Sequence, residues 1–192
     1  MFAPITRLLI LANIAAYILE FAGGYGLIYP FALWPLGGRF HSWQIVTYAF
    51  LHGNLAHILF NMFGLAMFGS EVERLLGPMR YLTYYFVCVI AAALTQLVIS
   101  SITGGTYPTI GASGAIFGLL LAFAIFFPER KIVPLFPPIP MPARVFALVY
   151  GGLELVLGVT GSQAGVAHFA HLGGMLGGYI LLRLWRLQRG RP

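Results

Sequence analysis

Six apolar stretches, set apart by glycine, proline and charge, leave this chain little choice of fold. In hydrocarbon a backbone N–H or C=O has no water to bond, so a segment that crosses a bilayer must bond to itself as a helix or close into a barrel. The stretches cover roughly residues 5–22, 55–76, 79–101, 112–127, 144–160 and 166–187, and most have the length of a helical crossing. Only 8% of residues are charged, against about 25% in a soluble domain. The sequence predicts an all-α polytopic membrane protein, a single domain over 1–192 with six transmembrane helices. The stretch from Leu8 to Ala22 follows Arg7 like a secretory leader, but with Ile5 and Thr6 it is long enough to be the first crossing.

Six crossings return both termini to one side. Arg7, Arg74, Arg80, Arg130, Lys131, Arg144, Arg183, Arg186, Arg189 and Arg191 then share that side, and Arg39 alone falls on the other. Basic residues mark the cytoplasmic face, so cytoplasmic termini are predicted, a sidedness that fits a bacterial inner membrane. The net charge of +6 follows from this topology and from contact with the lipid bilayer. No nucleic-acid partner is expected, because the basic residues form no shared soluble face. Residues 23–54 are too many for a turn and hold Tyr25, Tyr29, Trp34, Phe40 and Trp43, which suits a long structured first loop at the interface.

The fourth stretch, Ala112 to Phe127, would be only about 24 Å long as a helix, short of a hydrocarbon core of about 30 Å. Its N-terminus is therefore predicted to begin below the outer surface, with Ser113 on the floor of a water-filled dent. The second, fourth and sixth stretches all begin on the outer side, which puts His57, Ser113 and His171 at one depth.

The chain contains no aspartate, so a Ser-His-Asp triad is excluded. A hydrolytic site must work as a Ser-His pair or orient its imidazole with some other group. Ser113 lies between Gly111 and Gly114 in the first turn of the short helix, where unpaired N–H groups favour an oxyanion. Taken alone, the segment favours the other reading, in which Gly114-x-x-x-Gly118 is a small-residue helix contact and Ser113 merely caps it. His171 precedes a second small-residue seam, Gly174-x-x-x-Gly178, and the two glycine faces could bring Ser113 and His171 together. The other reading of His171 is an interhelical hydrogen bond made for stability. His57 and Asn61 share one helix face, either as oxyanion donors or as a polar patch bonded to loop backbone.

In His57-Ile-Leu-Phe-Asn61, Gly111-Ala-Ser113-Gly114 and Ala170-His171-x-x-Gly174-x-x-x-Gly178, in that order on alternate spans, the chain resembles the rhomboid intramembrane serine proteases. The resemblance implies a six-helix bundle with a short central fourth helix, Ser113 as nucleophile and His171 as general base and acid. His57, Asn61 and the Ser113 amide would bind the oxyanion. Gly111, Gly114, Phe117, Gly174 and Gly178 would support the site, and another protein's transmembrane segment would be the substrate. No metal or cofactor is implied. The motif spacing selects His171 over His168. Phe117 stands where the family often has a tyrosine packed on the imidazole, and can keep the stacking without the hydroxyl. The first loop lacks the Trp-Arg pair seen in some members, offering Trp34-Pro35 and a separate Arg39.

Remaining polar residues receive simpler readings. Glu73 and Arg74 read as a helix-end ion pair or solvated charges. Glu154, midway along the fifth stretch, reads as a packing or hydrogen-bonding group, or as part of a mobile gate with the 158–166 loop. Pro134, Pro137, Pro138, Pro140 and Pro142 read as a stiff connector. With no orienting acid assigned, a modest catalyst is expected. The rival functions are a non-catalytic rhomboid-like binder of membrane helices and a metal transport protein using His57, His168 and His171.

Overall fold

Pro4 lacks the N–H that a first helical turn would leave unpaired, and in the computed structural model it opens α1 (Pro4–Gly23). The structure describes residues 2–134, 138–161 and 167–189. Pro137, residues 162–166 of the proposed gate loop, and Arg191 lie outside the described residues, as do the side chains of Tyr25 and Arg189.

The first loop holds two short helices, α2 (Tyr25–Ile28) and α3 (Gln44–Thr47). Gln44 organises it. The fully buried Gln44 amide donates to the Pro30 and Arg39 carbonyls, and its oxygen accepts from the Trp34 and His41 N–H groups. All four bonding positions of the amide are thereby filled. The Arg39 guanidinium lies 4.8 Å above the Trp34 ring, so two residues that read as separate in sequence meet through a cation–π contact.

Asn54 caps α4 (Leu55–Gly64) by accepting the His57 N–H, and a π turn at Leu65–Gly69 continues it into α5 (Ser70–Leu76). Next come α6 (Pro78–Thr103) and α7 (Ser113–Phe126). The proline connector is more than a stiff spacer: β1 (Lys131–Ile132) and β2 (Met141–Pro142) pair antiparallel. The chain ends with α8 (Ala143–Thr160) and α9 (His168–Arg189). Each predicted apolar stretch thus coincides with helix. Pro4–Gly23, Leu55–Leu76, Pro78–Thr103 and Ala143–Thr160 are long and apolar enough to cross a membrane, whereas α7 is shorter. The architecture is an all-α membrane bundle.

The interior forms where α6, α7 and α9 meet through glycine. A Cβ on Gly174 would collide with the backbone of Gly114, one on Gly118 with the Cys88 side chain, and one on Gly178 with the Tyr84 hydroxyl. Such positions let helices approach to backbone contact. Glu73 departs from its sequence reading because it is buried rather than solvated. Its carboxylate accepts from the Ile5 and Thr6 N–H groups and from the Thr6 hydroxyl, at 2.7–2.9 Å. It satisfies the orphan donors of the α1 N-terminus from another helix. Arg74 pairs instead with Glu71, which also takes Arg130. Arg80 lies over Trp185, so these basic residues gather at one end of the bundle.

Candidate active site

Ser113 is positioned by the segment that precedes it. Leu33 and Thr109 exchange both backbone hydrogen bonds, at 3.0 and 2.9 Å, and the Gly111 N–H donates to the Tyr48 carbonyl at 2.9 Å. Tyr48 is anchored in turn by donating its hydroxyl to the Val89 carbonyl of α6. Gly111 has φ +117°, a conformation that L side chains rarely adopt, and a Cβ there would lie 2.6 Å from His57 Nε2. Only glycine fits this turn. The chain then enters α7 at Ser113, whose first-turn N–H groups have no partner within the helix.

His171 arrives from the first turn of α9. Its Nε2 lies 2.7 Å from Ser113 Oγ, a distance for a hydroxyl sharing its proton with an imidazole. Phe117, one turn below the serine, stacks on that imidazole with ring centroids 4.5 Å apart and an interplanar angle of 6°. The stacking expected of Phe117 is present. Both groups open into a cavity of about 590 Å³ lined also by Tyr48, Asn54, His57, Asn61, Thr109 and Ala170.

His57 and Asn61 face the same cavity with different commitments. The Gly53 N–H donates to His57 Nδ1 at 3.4 Å, which leaves the proton of a neutral imidazole on Nε2, beside Gly111. Asn61 spends one amide hydrogen on the His57 carbonyl of its own helix, at 2.9 Å. His52, which the sequence did not single out, packs edge-on to His57 at 5.0 Å. Burial pushes the His52 imidazole down to about 4; the His57 ring adds to the depression and the Phe50 backbone opposes it.

Glu154, which the sequence reads as a packing or hydrogen-bonding group or as part of a gate, is a hydrogen-bonding one. Its Oε2 lies 2.6 Å from His168 Nδ1 and 2.9 Å from His171 Nδ1, on the side of the ring away from Ser113. An acid therefore adjoins the histidine, contrary to the expectation of none. The usable signal was a carboxylate inside an apolar span, which must find a partner. Glu154, His168 and His171 present donor atoms within 4.8 Å of one another. His57 is not a member of that group.

A helical membrane bundle with a serine and a histidine in contact at a cavity defines a class, membrane-embedded proteins with a serine–histidine site. The chain belongs to the rhomboid family: the Rhomboid domain matches residues 39–187. Mitochondrial RHOMBOID-like protein 12 of Arabidopsis thaliana is 30% identical over 169 residues, 80% of this chain and 48% of that protein. Rhomboid protease GluP of Bacillus subtilis is 31% identical over 143 residues, 72% of this chain and 25% of its own length. Rhomboid protease GlpG of Pectobacterium atrosepticum is 28% identical over 185 residues, 95% of this chain and 62% of its own length. The chain thus spans from a quarter to about three fifths of the length of these relatives.

Proposed function

We propose that this chain is an intramembrane serine endopeptidase that cuts transmembrane segments of other membrane proteins. The 2.7 Å contact between Ser113 Oγ and His171 Nε2 at the cavity carries the reading; membership of a family whose relatives include named proteases supports it. In this mechanism Ser113 Oγ attacks the scissile carbonyl carbon as its proton passes to His171 Nε2. The oxyanion is met by the Ser113 N–H, by His57 Nε2–H and by the second amide hydrogen of Asn61. Collapse breaks the C–N bond, and His171 returns the proton to the leaving amine. Water then attacks the acyl-enzyme, giving a proton to His171; collapse breaks the acyl C–O bond, His171 returns that proton to Ser113 Oγ, and the carboxylic acid product leaves and ionises in water.

In the same proposal, residues 1–192 act as one six-crossing domain, with the termini and the Arg74, Arg80 and Arg130 end in the cytoplasm of a bacterium. The cavity opens to the outer side. The test is cleavage of a single-span substrate library in proteoliposomes by wild type, Ser113→Ala and His171→Ala. Both variants lose cleavage if the reading holds, and a Ser113→Ala protein that still cuts removes it. A metal-handling role has one observation in its favour, the Glu154, His168 and His171 group. Stoichiometric zinc binding that vanishes in the His168→Ala, His171→Ala double variant would favour that role.

A further inference from the structure

We propose that Glu154 is the positioning residue for His171, its carboxylate holding the imidazole in the tautomer and rotation that let Nε2 take the Ser113 proton. The proposal rests on the peptidase reading above. An imidazole that accepts at Nε2 carries its own proton on Nδ1, and that proton needs an acceptor. His171 Nδ1 is buried, and no other described group bonds it; Glu154 Oε2 stands 2.9 Å away. The contact falls short of full hydrogen-bond geometry; the same oxygen also lies 2.6 Å from His168 Nδ1, on a ring perpendicular to that of His171. Catalytic hydrogen bonds commonly tighten only once a substrate is bound.

The stacking of Phe117 creates the need for such a group. A flat contact at 6° restricts tilt but fits the imidazole equally well after a half-turn that exchanges Nδ1 with carbon. A carboxylate at the Nδ1 edge favours one of the two orientations. It also faces the positive charge that His171 acquires in the transition state, the part taken by aspartate in a triad.

The placement of Glu154 on α8 argues the same way. Beyond Ala147 no described residue of α8 is buried, and Leu153, Leu155 and Val156 beside Glu154 are exposed apolar side chains that suit lipid. A carboxylate on such a helix is expensive unless paired, and both of its imidazole partners lie on α9. His168 anchors the carboxylate, and His171 uses it. Proton removal from Ser113 therefore depends on α8 lying against α9 at this level.

The test uses the purified full chain and a fluorophosphonate probe, separating the maximal labelling rate from the half-saturating probe concentration. Glu154→Gln keeps the shape and an acceptor oxygen but removes the charge. The expected result is a maximal rate lowered by about 10- to 100-fold, with half-saturation moved less than about 2-fold. A wild-type maximal rate in Glu154→Gln would overturn the proposal. Should Glu154→Gln not fold, Glu154→Asp withdraws the charge by one methylene: a lowered rate supports the proposal and an unchanged rate overturns it. Ser113→Ala in parallel separates the two ideas, because labelling that survives there defeats the peptidase reading itself.

Discussion

Substituting Gly174 by alanine adds a single methyl at the point where α9 touches α7, and it should lower activity by about 100-fold while the protein stays folded. The new Cβ meets the Gly114 carbonyl group and lies 3.3 Å from the Gly114 Cα. These are backbone atoms, which cannot swing aside as a side chain would. The helices must part by roughly 1 Å or more, at an overpacking cost of about 1–3 kcal/mol. Alanine in place of glycine inside a helix returns about 1 kcal/mol, so the net loss of stability is no more than about 2 kcal/mol. The same displacement acts on the 2.7 Å contact of Ser113 with His171, since Gly114 follows the serine and Gly174 lies one turn beyond the histidine. It stretches that contact past hydrogen-bond length, and a misplacement of this size costs about 100-fold in rate. Thermal unfolding in detergent and the rate of fluorophosphonate labelling measure the two effects side by side. Gly152→Ala is the control, because a Cβ there meets nothing within 4 Å. A Gly174→Ala protein that labels within about 3-fold of wild type would refute the reasoning.

Phe117→Ala removes the surface on which the imidazole lies, and labelling should fall by about 10-fold or more, whereas Phe117→Tyr keeps the stack and should stay within about 3-fold of wild type. His52 gives a pH dependence of stability. Its unfolded imidazole takes up a proton below the ordinary value of 6.5 while the folded one resists until about 4, so stability is full above 6.5 and is lost as pH falls through that window. The loss reaches at most about 3 kcal/mol; denaturant titrations at pH 7.5 and pH 5 should show it in wild type, with the slope reduced in His52→Gln. Glu73→Ala strands the Ile5 and Thr6 N–H groups at the α1 start, while the Thr6 hydroxyl can still donate to the Tyr81 oxygen, so unfolding should become easier by roughly 2 kcal/mol. Amide exchange at Ile5 and Thr6 should speed up, and unchanged protection there would contradict the capping role.

What was legible in the sequence is what periodicity and spacing encode. The apolar stretches marked the helices, the short fourth stretch marked the shorter helix α7, and the Gly111, Ser113, His171 and His57 motifs marked residues that gather at one cavity. The misses share a cause: partners chosen by the rotation of one helix against another leave no trace in spacing. Glu73 looked solvated because nothing in its neighbourhood reveals that the α1 N-terminus lies beside it. Glu154 read as a hydrogen-bonding group whose partners stayed unnamed for the same reason, although both lie on the very next helix. In the first loop, the Arg39 contact with Trp34 depends on a turn built around Gln44, whose four hydrogen bonds no local pattern announces.

The central claim is that the Ser113 hydroxyl is activated by His171. The measurement that meets it most directly is peptide mapping by tandem mass spectrometry after reaction of the purified protein with a fluorophosphonate. The account predicts one phosphonyl adduct, on Ser113, absent from His171→Ala. An adduct on another serine, or labelling of Ser113 at full rate without His171, would contradict it.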